Sequence, residues 1–137
     1  PPAGAAPDRL APGEAPTPPA EPATGASGLA VELSKIGWGG SMLLPDLRME
    51  GSVHGAKIAR AEVRVVDARG NEIQRDRLQD VERFLARVAD RDEPMSIRFT
   101  YEVDGKRMVL AKYPVSVHVT AYDTDGGTSE KVVEVDR

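Results

Sequence analysis

The sequence predicts a mainly β domain, an antiparallel two-sheet sandwich with one short helix, carried behind a proline-rich leader. Three observations predict it. Period-two alternation with β-branched enrichment recurs from Leu29 to the C-terminus. The alternating segments are punctuated by turn chemistry, "DARGN", "VDGKR" and "DTDGG". The first 28 residues hold eight of the eleven prolines and eight alanines, with Leu10 as their single large apolar residue.

That leader, residues 1–28, cannot bury enough apolar surface to offset the entropy of ordering it, so it is expected to be disordered. Proline biases it toward polyproline II, a semi-stiff tether that at ~3.1 Å per residue reaches on the order of 80 Å. Its sharpest feature is "PTPPAEP" (residues 16–22), which has the form of a ligand for a proline-binding domain. Residues 29–137 make the folded domain.

In "LAVEL", Leu29, Val31 and Leu33 share one face. "LRMEGSVHG" sets Leu47, Met49 and Val53 against Arg48, Glu50, Ser52 and His54, and "AEVRVVD" alternates through Ala61, Val63 and Val65. "DRLQDVERFLARVAD" breaks the period. Leu78, Val81, Leu85 and Val88 recur at helical spacing, with Asp76 placed as N-cap and Gln79 three residues on, which predicts a helix over about 77–89. A strand over 84–88 is the competing reading, since Phe84, Ala86 and Val88 also alternate. Beyond it, "SIRFTYEV" turns Ile97, Phe99, Tyr101 and Val103 inward. "YPVSVHVTA" does the same with Val115, Val117, Val119 and Ala121, and "KVVEV" closes with Val133 and Val135. Six or seven short strands in this length imply two packed sheets.

Composition excludes several functions. The net charge is −4 and no Lys/Arg run exists, so there is no footprint for nucleic acid or for a basic membrane-surface helix. No cysteine is present, which removes disulfides, thiolate metal sites and a cysteine nucleophile. No apolar run has the length of a membrane span, so direct membrane insertion is not expected. The chain opens Pro1-Pro2 without a Met, which leaves room for an anchor or signal upstream of Pro1.

Three stretches compete as sites. "AYDTDGGTSEKVVEV" offers Asp123 and Asp125 as weak calcium candidates. Counted from Asp123 as an EF-hand loop, Glu134 falls at position 12, but Gly127 and Thr128 stand at positions 5 and 6, and the flanks are strands. Two glycines in a hairpin turn explain the same residues without a metal. His54 and His118, the two histidines, lie on polar strand faces with no cysteine to join them. "GWGGSMLLP" surrounds the sole tryptophan with glycines. Either Trp38 plugs one end of the core, or Trp38, Met42, Leu43 and Leu44 form a partner-binding patch. No nucleophile elbow, phosphate-cradling loop or carboxylate-lined cleft is evident, so no enzyme and no cofactor are expected.

"GSVHGAKIARAEVRVVDARGN" resembles the B–C region of bacterial immunoglobulin-like and fibronectin-III-like modules, and "YPVSVHVTAYDTDGGTSEKVVEV" resembles their last hairpin. Tyr113 stands where such sandwiches place a tyrosine corner, although the Asp expected four residues earlier is Val109. The resemblance implies a non-catalytic, extracytoplasmic module of a bacterial envelope or surface protein that spaces or docks a protein partner. A carbohydrate- or peptidoglycan-binding module is the alternative. A subunit of a larger envelope assembly would suit the tether equally.

Overall fold

The computed structural model describes residues 28–137. The disorder expected of residues 1–28 thus concerns, apart from Gly28, residues outside the described ones. Among the described residues, seven strands form two antiparallel sheets. They are β1 (Ala30–Gly40), β2 (Pro45–Gly55), β3 (Ile58–Val66), β4 (Glu72–Arg77), β5 (Met95–Val103), β6 (Val115–Asp123) and β7 (Thr128–Val135). One sheet has the order β1-β2-β5 and the other β4-β3-β6-β7. The chain is therefore a mainly β, two-sheet sandwich, with two short helices, α1 (Gln79–Leu85) and α2 (Gly105–Met108).

The alternation read from the sequence is the alternation of burial. Leu47, Met49 and Val53 on β2, Val63 and Val65 on β3, and Ile97, Phe99 and Val103 on β5 face the interior. Val115, Val117, Val119 and Ala121 on β6, beside β3 in the same sheet, are buried in the same core. Because successive side chains point to opposite faces, each strand contributes every second residue to one dry layer.

The helix is real but shorter than predicted. Its N-cap is Leu78, with no side-chain cap, and not Asp76. Asp76 is still inside β4, opposite Val63, and accepts the Tyr101 hydroxyl hydrogen. Packing decides this: Leu78, Val81 and Leu85 are buried, and Leu78 N–H donates to the Ala61 carbonyl at 2.9 Å, which carries the strand pairing up to the helix. After Leu85 the chain leaves the helix in tight turns, so residues 86–89 belong to it no longer and no strand forms over 84–88. The helix covers the open edge of β5, where Asp80 Oδ2 accepts Thr100 N–H at 2.8 Å.

Three other elements differ from expectation. Strand β4, "EIQRDR", was hidden because an edge strand exposed on most positions shows no apolar alternation. Strand β1 runs through "GWGG" to Gly40, leaving only residues 41–44 as the turn. "VDGKR" holds helix α2, capped by Asp104, whose carboxylate accepts Lys106 N–H at 2.8 Å.

Candidate docking surface

The strand directions sort the loops onto two poles. Gly40 pairs with Pro45, and Leu47 with Val103, at one pole; Ala30 pairs with His54, and Gly55 with Met95, at the other. The first pole thus carries the β1–β2 turn, the β3–β4 turn, residues 104–114 and the residues after Val135. The chain enters the domain at the opposite pole.

The turn 41–44 is shaped by Ser41. Its Oγ accepts the backbone N–H of Leu43 at 3.1 Å and of Leu44 at 3.3 Å, a local hydroxyl turn that leaves the two residues after Ser41 in solvent. Met42 is 98% exposed and Leu43 89%. Across from the turn, α2 presses its first residue onto the chain at Leu44–Pro45. A Cβ at Gly105 would lie 2.1 Å from the Leu44 carbonyl oxygen, so only glycine fits. Asp46 Oδ1 accepts Gly105 N–H at 2.8 Å and locks the approach.

The residues after α2 add Val109 and Leu110, the latter 89% exposed. Trp38 lies on β1 opposite Leu47, 36% exposed, so it neither plugs the core nor stands free of it. Its ring meets Tyr113 with centroids 6.0 Å apart and planes at 57°, and its Nε1 donates to the Asp136 carbonyl at 3.4 Å. Tyr113 makes this aromatic contact, with the Arg137 guanidinium 5.4 Å from its ring centre. Burial pushes its phenol pKa up. Between the two loops lies an open cleft of about 500 Å³ lined by Trp38, Leu43, Leu44, Met108, Val109 and Tyr113. Six of the eight large apolar side chains left exposed among the described residues sit at this one pole. Sequence reading found four of them; Val109 and Leu110 were missed because "MVLAK" carries no periodic signal.

The other sequence candidates are not brought together. Asp123 is buried, and its Oδ1 accepts the N–H of Asp125 at 2.9 Å and of Gly127 at 2.7 Å, while Asp125 pairs with Lys57 at 3.5 Å. No cluster of three or more metal-ligating side chains occurs among the described residues. The carboxylate is a turn brace, and "DARGN" repeats the design. Asp67 Oδ1 accepts Arg69 and Asn71 N–H at 2.9 Å, and Gly70, like Gly126, has a positive φ. At Asp67 burial pushes the pKa up, but the backbone amides of Asn71, Arg69 and Lys112 outweigh it and hold the carboxyl below its ordinary value. His54 and His118 sit on outward faces of different sheets. The first contacts Ser96 at 2.6 Å and Glu32 at 3.5 Å; the second lies 3.5 Å from Glu130.

A second, charged groove of about 800 Å³ runs between β4, α1 and the β1-β2-β5 sheet. Its charges face each other: Arg48 meets Glu102 at 2.7 Å and Arg83 meets Asp80 at 2.5 Å. The Thr100 amide, more than the Arg83 guanidinium, holds Asp80 below the usual carboxylate range. Burial, then the Asp76 carboxylate, drives the Tyr101 phenol far up, so it stays protonated and donates. Comparison with protein-family models, with curated proteins and with solved structures found no match to the chain.

Proposed function

We propose that the chain is a non-catalytic interaction module of the immunoglobulin-like kind, docking a protein partner through the pole that carries Trp38, Met42, Leu43, Leu44, Val109 and Leu110. The observation that carries this reading is the gathering of exposed apolar residues on two neighbouring loops. Single exposed apolar side chains are ordinary, whereas a contiguous patch marks a contact surface. Trp38 and Tyr113 beside the cleft add the residue types enriched among interface hot spots.

The division of three strands against four, with β3 and β6 central in one sheet and β2 central in the other, supports the immunoglobulin-like assignment. An extracytoplasmic setting rests on that resemblance. The polarity of the domain suits a tethered docking module, since the proline-rich leader joins at the pole opposite the patch. A carbohydrate platform would use the same two rings, but planes inclined at 57° present no flat face to a sugar.

The test is site-specific photo-crosslinking in the native source. A benzophenone side chain at position 43 should give one discrete protein adduct. The same group at position 132, an exposed valine on β7, should give none. Equal labelling from both positions, or none from 43, would overturn the reading.

A further inference from the structure

The cleft has features that specify the chemistry of its occupant. Its floor is an aromatic pair inclined at 57°, a V-shaped notch and not a flat stack. Grooves of this kind receive polyproline II segments, whose rings fill the notch and whose carbonyls make no internal hydrogen bonds. A donor is in place for such a carbonyl: the Trp38 indole N–H reaches only a 3.4 Å bond to Asp136.

The rim carries a cation. Arg137 lines the cleft, and Lys106 stands on α2, whose Gly105 and Met108 line it too. The acids nearby are each engaged by a backbone amide. Asp46 and Asp104 accept backbone amides of Gly105 and Lys106, and Asp136 accepts Arg137 N–H. A carboxylate on a proline-rich ligand therefore has Arg137 to pair with.

This chain carries such a segment. "PTPPAEP", residues 16–22, has four prolines and Glu21, with Glu14 two residues before it. It cannot reach the cleft of its own domain. Strand β1, 11 residues long, separates the poles by ~35 Å at ~3.4 Å per residue. Nine residues link Pro19 to Gly28, and fully drawn out they span at most ~32 Å before rounding the sandwich.

We propose that the Trp38–Tyr113 cleft binds an acidic proline-rich segment, and that residues 16–22 of a second copy of this chain are its occupant. The inference rests on the docking reading above and names its ligand. A cleft at one pole and a ligand strung from the other make a heterologous contact, which joins copies head to tail without closing a ring by symmetry.

Sedimentation of the full chain and titration of a synthetic peptide test it together. The sedimenting mass of the full chain should rise with concentration, and Pro18→Gly/Pro19→Gly should abolish that rise. A peptide of residues 14–23 should shift amide resonances within 36–45 and 104–113 and change Trp38 emission. Trp38→Ala should weaken it about tenfold or more, as loss of a hot spot does. A peptide with both glutamates changed to lysine should bind more weakly, and more so at low salt.

No peptide-induced shift, or shifts scattered over the β4–α1 groove, would overturn the proposal. So would concentration-dependent mass that survives the proline changes, which would point to patch-to-patch pairing. If the peptide fails while position 43 still crosslinks a discrete protein, the docking reading stands and only this ligand falls. If position 43 also labels nothing, both fall.

Discussion

Replacing Gly105 with alanine tests whether the apolar pole is held by a contact that only glycine permits. The backbone at Gly105 is ordinary, with no positive φ, so the added methyl brings no torsional strain. Its cost is steric. The new carbon would lie 2.1 Å from the Leu44 oxygen, 2.6 Å from the Leu44 carbonyl carbon and 2.9 Å from the Pro45 oxygen. All three are backbone atoms, so no side-chain rotation relieves the clash. Overpacking of this sort costs ~1–3 kcal/mol, and a backbone obstacle puts it near the top of that range. Alanine recovers up to ~1 kcal/mol at a helical position. The net loss is then about 2 kcal/mol. With an unfolding entropy of ~2.1 cal/mol/K per residue over about 110 described residues, the Tm should fall by about 9 °C. Circular dichroism melts of the full chain read the shift, and Trp38 emission reads the opening of the cleft. Gly37→Ala is the control, because its Cβ would meet nothing within 4 Å, and it should leave the Tm unchanged or slightly raised. A fall no larger than about 2 °C for Gly105→Ala, or an equal fall for Gly37→Ala, would refute the reasoning.

Other outcomes follow from the same geometry. Met42→Ser and Leu43→Ser, changes at side chains already in water, should each shift thermal stability by less than ~0.5 kcal/mol while lowering retention on a hydrophobic column. Asp123→Ala should destabilise by ~1–3 kcal/mol in a denaturant titration, since it strips acceptors from two turn amides, and millimolar calcium should move no amide of 123–128 in the parent chain. Asp80 has its carboxyl pKa lowered below 3.8 by the Thr100 amide and Arg83. Its stabilising contribution is therefore complete above that value and disappears as pH falls through the lowered pKa, so Asp80→Asn should flatten the acid limb of a stability-against-pH curve. Trp38, only partly shielded, should be quenched by acrylamide to an intermediate degree, and a fully protected indole would contradict its placement.

How much was legible in the sequence depended on which residues bury their alternate side chains. Strands β2, β3, β5 and β6 each have a solvent face and a dry face, so "YPVSVHVTA" spells its own orientation. Strand β4 has scarcely any dry face, and its last two residues, Asp76 and Arg77, read as the start of the helix. Asp76 reads as a helix cap because a single sequence shows a good capping residue without the cross-strand partner, Val63, that keeps the position extended. The two turns braced by Asp67 and Asp123 were readable in outline, since Asp with a glycine three residues on is itself the device. For the candidate site, four apolar residues were visible as one run. Their neighbours Val109 and Leu110 come from a segment more than sixty residues away, and only the β5–β6 connection over the top of the sandwich brings the two together.

The two poles of the sandwich are finished differently, and that difference bears on what the apolar one is for. The lower pole is laced by backbone bonds. Lys57 N–H donates to Arg91, and Thr124 N–H donates to the Lys57 carbonyl, with Lys57 and Asp125 paired above them. Its loops are braced by these internal bonds. The upper pole has equally firm scaffolding in the Ser41 turn, the Asp46–Gly105 bond and the Asp104 cap, yet it displays Met42, Leu43 and Leu110 almost wholly to water. Side chains that are about nine-tenths exposed or more bury almost no area, so they contribute almost nothing to folding by the hydrophobic effect. Serine or lysine at those positions would leave the core untouched and make the molecule more soluble. The fold therefore does not require them, which supports the docking proposal. A surface that is held rigid and kept apolar at the same time is one suited to bind with little ordering cost.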